Sequence, residues 1–138
     1  MIYYEAKDFP ADGLEATGED VKVHVPKGTA YRAYELYGDQ GGSITVDGDG
    51  AGVACRYGDG DGYARRSGDG TGDTYRYGNG NGNAYRDGDG NGSAHRRGGG
   101  KGDAYRWGAG AGDAVRDGGG CGYAWRYGDG EVKEKQND

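Results

Sequence analysis

From Gly58 onward, small residues alternate with large or polar ones in a pattern that repeats every ten residues. The unit is GxGxGxAxRx, and it occurs seven times without insertion or deletion, after a weaker copy at 48–57. Because ten is even, the alternation keeps glycine and alanine on one face of an extended chain in every unit. A fixed repeat length is typical of stacked coils, in which one extra residue would shift every later side chain. The pattern predicts an all-β fold, a narrow β-solenoid with ten residues per coil.

The narrowness of the predicted coil explains why its inner residues are small. A ten-residue coil has room for two strands of about three residues and two tight turns, so its two walls would nearly touch. Only hydrogen or methyl side chains fit between such walls, which accounts for glycine and alanine inside and for the scarcity of leucine and isoleucine in the repeat.

The first 46 residues differ from the repeat. Short runs at 2–6, 21–25, 29–36 and 43–46 alternate apolar with polar residues, as half-buried strands do, and proline or glycine separates them. Nearly all the aliphatic side chains of the chain lie here, so we expect its only conventional apolar core in this part. The predicted organisation is a small N-terminal β cap over 1–46, the glycine-rich solenoid over 47–130, and a charged, solvated C-terminal tail over 131–138.

An arginine in every unit has the same parity as the glycines. A buried column of like charges would be very costly without partners. We therefore predict that the chain turns at the arginine and directs it outward, forming a ladder along one edge of the rod. Its members are Arg56, Arg66, Arg76, Arg86, Arg96, Arg106, Arg116 and Arg126.

A second column precedes the arginines and is rich in aromatic residues. Stacked rings one strand apart pack well and stiffen a sheet, and the same column can serve as a binding stripe. Its members are Cys55, Arg65, Tyr75, Tyr85, His95, Tyr105, Val115 and Trp125, with Trp107 close by.

Composition and charge narrow the partners. The net charge is -6, of which -4 falls in residues 1–40 and only -1 in 41–130, so the solenoid looks nearly neutral. Neither nucleic acid as a direct ligand nor an anionic membrane is expected as a partner. Cys55 and Cys121 lie more than six units apart, so stacking of the units would place them beyond the reach of a disulfide. This predicts free thiols and a reducing compartment. With no apolar leader or membrane span in the sequence, we expect a cytoplasmic protein.

Candidate chemistry is sparse. The two histidines, His24 and His95, lie in different regions without an evident nucleophile and carboxylate, so we expect no enzyme activity and no cofactor. The glycine-aspartate runs at 47–50 and 58–62 resemble calcium-binding β-rolls of the RTX family. That family uses a nine-residue unit with an inward apolar residue, so a calcium-dependent β-roll is an alternative and not the main prediction.

Two further resemblances concern the repeat itself. The ten-residue unit with small inner residues and a tyrosine column is similar to midge-type antifreeze solenoids, whose unit is xxCxGxYCxG, which makes ice or lattice binding another alternative. Runs such as 68–77 and 78–87 look like glycine-rich GDGxGxAYRx decapeptide repeats in proteins of phages, prophages and plasmids. Compact acidic proteins of such elements often disable host defence enzymes, including CRISPR complexes and restriction systems.

These observations lead to one functional prediction. We expect a non-enzymatic protein-binding module from a phage or other mobile element, which binds a host protein or ribonucleoprotein complex in the host cytoplasm. It would inhibit a host defence or nucleic-acid-processing complex, in the manner of anti-CRISPR or DNA-mimic proteins. The outward arginine and aromatic ladders would form its contact surface. The predicted contact residues are Arg76, Arg86, Arg96, Arg106, Tyr75, Tyr85, Tyr105, Trp107 and Trp125.

Overall fold

A computed structural model of the chain describes residues 1–128 and 132–135. It is a parallel β-solenoid of about six turns, and the predicted all-β fold is confirmed. The described helix is a single 3-10 turn at Ala6–Asp8. The strands are β1 Ile2–Glu5, β2 Leu14–Glu15, β3 Val21–His24, β4 Ala33–Tyr37, β5 Ile44–Asp47, β6 Val53–Tyr57, β7 Ala64–Ser67, β8 Thr74–Tyr77, β9 Ala84–Asp87, β10 Ala94–Arg97, β11 Ala104–Trp107, β12 Ala114–Asp117, β13 Ala124–Tyr127 and β14 Val132–Lys135.

Each coil of the repeat contains twenty residues, so the predicted ten-residue coil is wrong. Odd-numbered strands form one seven-stranded sheet and even-numbered strands form the other. Ala64 therefore pairs with Ala84, two units later, in a parallel register. The reason is the number of residues that each part needs: a four-residue strand and a six-residue turn use up one whole unit, and two units are required to close the coil.

The N-terminal strands continue the same two sheets. Strand β1 pairs with β3 and β3 with β5, while β2 pairs with β4 and β4 with β6, all in parallel. A separate N-terminal cap is not confirmed. What changes near residue 46 is the content of the core, which passes from large apolar side chains to alanine. The large members are Phe9, Val21, Val23, Val25, Tyr34, Leu36, Ile44 and Val46, and the later members are Ala84, Ala94, Ala104, Ala114 and Ala124.

Glycine is required in the turns because consecutive coils lie directly on one another. Gly78 has a φ of +129°, and a Cβ there would lie 2.2 Å from the carbonyl oxygen of Gly58 in the coil before it. At Gly80 the corresponding distance, to the oxygen of Gly60, is 2.3 Å. Close stacking of turn on turn, and not the pressing together of two walls, therefore selects glycine.

The C-terminal segment contributes a strand. Strand β14 extends the even-numbered sheet by pairing with β12, with Ala114 opposite Val132. Residues 132–135 are thus part of the solenoid, although the sequence predicted a solvated tail over 131–138. The remainder of that tail lies outside the described residues.

Candidate partner-binding surface

The column arginines lie inside the rod, and the prediction of an outward ladder is wrong. Every one of them from Arg56 to Arg116 is at most 1% exposed. This includes the four proposed contact residues Arg76, Arg86, Arg96 and Arg106. A buried guanidinium cannot touch a partner, so these four residues do not belong to a contact surface.

Glycine carbonyls make this burial possible. The Nε of Arg86 donates to the oxygen of Gly72 at 2.7 Å, and Nη2 donates to Gly70 at 2.7 Å. Nη1 donates to Gly68 at 3.1 Å and also to the carbonyl of Asp87. The planar guanidinium fork thus fits a ring of inward carbonyls, for which a lysine ammonium has the wrong shape.

The same set of hydrogen bonds recurs in the turns at both edges of the rod. Each column arginine donates to backbone carbonyls 14, 16 and 18 residues before it, in the turn of the preceding coil. These bonds recur at Arg56, Arg66, Arg76, Arg86, Arg96, Arg106, Arg116 and Arg126. The arginines of even-numbered strands fill one column of turns, and those of odd-numbered strands fill the other.

Burial also changes the titration of these groups. Desolvation, followed by repulsion from the arginines above and below, lowers the pKa of Arg76 to about 10. The pKa values of Arg86 and Arg96 are lowered to about 10 by the same two causes. All three therefore stay charged at neutral pH. The carbonyl dipoles must offset the repulsion between guanidinium groups that lie one coil apart.

The aspartate and asparagine columns follow from the arginine bonds. In a parallel ladder with a twenty-residue register, the carbonyls of Gly58 and Gly60 would accept from the N–H groups of Asn79 and Asn81. Those two carbonyls instead accept from an arginine. The N–H groups are bonded by side chains of the preceding coil: Asp59 Oδ1 accepts from Asn79 at 3.2 Å and Asp61 Oδ1 from Asn81 at 2.9 Å.

We call five exposed aspartates of this kind the corner carboxylates, and each accepts a backbone N–H of the next coil through Oδ1. They are Asp49, Asp59, Asp61, Asp69 and Asp89. The glycine-aspartate runs that resembled a calcium β-roll therefore have a structural explanation. No group of three or more His, Cys, Asp or Glu side chains within the described part of the chain is arranged to hold a metal ion.

Sequestering the arginines changes the surface charge. Residues 41–128 contain eleven carboxylates and eleven basic side chains, but eight of the eleven are the inward column arginines. The outward basic side chains are Arg65, Arg97 and Lys101, whereas none of the eleven carboxylates is buried. The surface of the repeat is therefore strongly acidic, not nearly neutral as the sequence count indicates.

The aromatic residues form two separate surfaces. Tyr85, Tyr105 and Trp125 lie on the odd-numbered sheet, with ring centroids of successive members 5.3 and 6.5 Å apart. Tyr75 lies on the even-numbered sheet, where it stacks on His95 at 5.0 Å. The predicted single column is divided because consecutive units belong to opposite sheets.

A neighbouring row completes the surface on the odd-numbered sheet. The ring centroid of Trp107 lies 5.1 Å from that of Tyr105 and 6.4 Å from that of Tyr127. We call Tyr85, Tyr105, Trp107, Trp125 and Tyr127 the aromatic face. Trp125 and Tyr127 are 42% and 55% exposed. Sequence reasoning missed Tyr127, although a twenty-residue period relates it to Trp107.

Hydrogen bonds hold part of this face in place. The hydroxyl of Tyr105 donates to Asp103 Oδ2 at 2.7 Å, and the hydroxyl of Tyr85 accepts from Asn83 Nδ2 at 2.7 Å. The bond to Asp103, and then burial, raise the pKa of Tyr105 to about 12. Rings fixed in this way lose little freedom when a partner binds them.

The histidines and cysteines of the described residues lie in separate strands and turns. His24 Nδ1 lies 3.0 Å from Glu5 Oε2, in a different strand from His95. Both cysteines are free thiols in the described structure, and burial raises the pKa of Cys55 to about 11, which disfavours a thiolate. None of the helices in residues 1–128 and 132–135 is long and apolar enough to cross a membrane.

Comparison with known proteins adds no family assignment, because no family model, curated protein or solved structure matches this chain. The resemblance to decapeptide-repeat proteins of mobile elements stays a prediction.

Proposed function

We propose that this protein is a non-enzymatic binding module whose acidic rod and aromatic face bind a basic protein surface. In this proposal it acts in the host cytoplasm as a mobile-element inhibitor of a defence or nucleic-acid-processing complex. The observation that carries the proposal is the inward position of the column arginines. Over residues 41–128 none of the eleven carboxylates is buried, whereas only three basic side chains point outward.

The corner carboxylates suit recognition of arginine and lysine. Their Oδ1 atoms are fixed by backbone N–H groups, and Oδ2 takes no part in that bond. Asp49, Asp69 and Asp89 form a row in the turns that follow odd-numbered strands, and Asp59 and Asp61 lie at the other edge of the rod. Rigid acceptors of this kind steer a basic partner and limit the entropy lost on docking. Proteins that bind nucleic acids display basic surfaces because phosphates dominate their affinity. An acidic rod competes for such a surface, whereas a nucleic acid would be repelled.

The aromatic face supplies the apolar part of the contact. Tryptophan and tyrosine are enriched among the residues that dominate binding energy at protein interfaces. Trp107 on β11 lies in the middle of the face and Trp125 on β13 at its end. The proposed contact surface consists of the aromatic face and the corner carboxylates. In this proposal the N-terminal strands, with their large apolar side chains, serve as the end piece that stabilises the first coils.

The experiment uses the immobilised protein to capture proteins from a bacterial lysate, followed by elution with a short duplex DNA. We expect the captured protein to be released by the DNA and by salt, since both compete for the same basic surface. The informative variant is Asp69→Asn combined with Asp89→Asn, because an amide oxygen can still accept the backbone N–H. Asn79 does so naturally, accepting from Gly99 at 3.0 Å.

The double variant should keep its β-sheet signal in circular dichroism and lose most of the capture, and Trp125→Ala should also weaken capture. Asn79→Asp is the matched variant with an added charge and should strengthen it. Capture that is indifferent to DNA and unchanged in the double variant would overturn the proposal.

The two alternatives predict other results. An ice-binding protein would show thermal hysteresis in the purified state. A calcium-dependent β-roll would lose its β-sheet signal in a chelator, whereas the hydrogen bonds of the corner carboxylates require no ion.

A further inference from the structure

A cleft near the N-terminus arises where the chain departs from its regular spacing. Val21 and Tyr34 occupy successive inward positions of the two sheets, because Val21 pairs with Ile44 and Tyr34 with Ala54. Thirteen residues separate Val21 from Tyr34, whereas ten separate Tyr34 from Ile44. Three additional residues therefore lie between β3 and β4. In repeat proteins, insertions of this kind often form the binding face.

The longer loop and the 3-10 turn at Ala6–Asp8 enclose a cleft of about 660 Å³. Clefts of about 300–1,000 Å³ are typical of sites for small organic ligands. Apolar groups form much of the wall and charged side chains join it. The lining includes Ala6, Lys7, Pro26, Ala30, Arg32 and Tyr34.

Tyr34 is the unusual member of this lining. It stands where the next coil has Ala54, and its side chain is 0% exposed. Its hydroxyl is buried and has no hydrogen-bond partner among the residues that the structure describes. A buried hydroxyl without a partner is rare and costly, and a ligand acceptor is one group that satisfies it.

The charges around the cleft favour an anion. The guanidinium carbon of Arg32 lies 4.6 Å from the ring centroid of Tyr34, and Arg32 donates to the carbonyls of Phe9 and Pro10 at 3.2 and 2.9 Å. It is thus held in place while still charged. Lys7 on the 3-10 turn is exposed and adds a second cation.

The acid in the lining is already engaged. Glu5 Oε2 lies 3.0 Å from His24 Nδ1, and so offers less to a ligand than the two cations do.

We propose that this cleft binds a small organic anion of about ten non-hydrogen atoms, in which an apolar body carries a carboxylate. The carboxylate faces Lys7 and Arg32, while the apolar body packs on Ala6, Pro26 and Ala30. Because Tyr34 is 0% exposed without a ligand, binding shifts its ring toward the cleft so that the hydroxyl donates to the carboxylate. The site lies apart from the aromatic face and does not depend on the proposed partner.

The test is a titration of the full chain with phenylacetate, followed by NMR shifts of the backbone amides around the cleft. We expect saturable shifts with a dissociation constant of about 1 mM, as a ligand of ten non-hydrogen atoms allows. Phenylacetamide and phenethylamine have the same body without the negative charge, and each should bind at least about tenfold more weakly.

Variants separate the site from surface effects. Tyr34→Phe removes only the hydroxyl that lacks a partner, so it should fold at least as stably while binding phenylacetate several-fold more weakly. Lys7→Gln should also weaken binding, and Lys101→Gln, on the repeat, should leave it unchanged. Absence of saturable shifts, equal binding of the acid and its amide, or full affinity in Tyr34→Phe would overturn the proposal.

Discussion

Replacing one buried arginine with methionine should destabilise the rod far more than the same change at an exposed arginine. Arg86 in the middle of the rod is 0% exposed, whereas the side chain of Arg97 is 53% exposed. Methionine keeps much of the length of arginine but donates no hydrogen bonds. The pair Arg86→Met and Arg97→Met therefore isolates the contribution of the guanidinium bonds.

The magnitude follows from the carbonyls that lose a donor. Arg86→Met leaves the oxygens of Gly68, Gly70 and Gly72 without the donors at 3.1, 2.7 and 2.7 Å. Each buried acceptor without a partner costs about 1–3 kcal/mol, which gives about 3–9 kcal/mol for the three. Relief of desolvation and of repulsion between neighbouring arginines offsets a part, so we expect a loss of at least about 3 kcal/mol.

The control, Arg97→Met, should change the free energy of unfolding very little. Arg97 Nε lies 3.9 Å from Asp117 Oδ2, and a surface ion pair of this kind contributes about 0–1 kcal/mol. Urea denaturation followed by circular dichroism measures both variants. Since a domain is usually stable by only about 5–15 kcal/mol, Arg86→Met should shift the midpoint strongly or prevent folding. A difference between the two variants below about 0.5 kcal/mol would refute the role given to the buried arginines.

Three other predictions test the coil and its hydrogen bonds. Gly100→Ala should strongly destabilise the rod in thermal denaturation, because its Cβ would lie 2.2 Å from a backbone oxygen, whereas Gly99→Ala, whose Cβ meets only a side-chain oxygen at 3.1 Å, should be nearly neutral. Because the pKa of Tyr105 is raised to about 12, its phenol stabilises the fold below pH 10, and this contribution is lost between pH 10 and 12. The stability difference between the wild type and Tyr105→Phe should therefore shrink over that range; a constant difference contradicts it. Residues 88–97 contain no tyrosine or tryptophan, so inserting further copies of them after Arg97 adds no such ring. One added copy should move the later aromatic rings to the other sheet and change the near-ultraviolet circular dichroism, whereas two added copies should keep them on their original sheet; equal spectra for the two insertions would argue against a twenty-residue coil.

Four of the N-terminal strands and the small inner residues were predictable from the sequence, but the coil length and the strands of the repeat were not, because the predicted turn at each arginine is part of a strand. Consecutive units share glycine, alanine and arginine, so the ten-residue period hides the fact that alternate units lie in opposite sheets. Residues outside the shared positions carry the missing signal. Trp107 and Tyr127 are related by twenty residues, as are Tyr85 and Tyr105, while Val115 and His95 interrupt any ten-residue aromatic column.

The arginines show where the physical argument was incomplete. Alternation puts the arginines on the same face as the glycines and so predicts that they lie inside. They were predicted to point outward only because the sequence shows no buried acidic side chain to pair with them. Backbone carbonyls of the glycine turns are those partners, and counting side chains alone could not find them. Once the carbonyls of Gly58 and Gly60 are bound by arginine, the need for acceptors at Asp59 and Asp61 follows.

The most direct test of the buried arginine columns is hydrogen exchange at the arginine Nε–H groups, followed by ¹⁵N NMR. The Nε–H groups of Arg66, Arg86 and Arg116 donate to glycine carbonyls at 2.7, 2.7 and 2.8 Å inside the rod and should exchange orders of magnitude more slowly than those of Arg65 and Arg97. Uniformly fast exchange at every arginine would show that the guanidinium groups lie in water, and would contradict both the fold's main stabilising contact and the acidic surface derived from it.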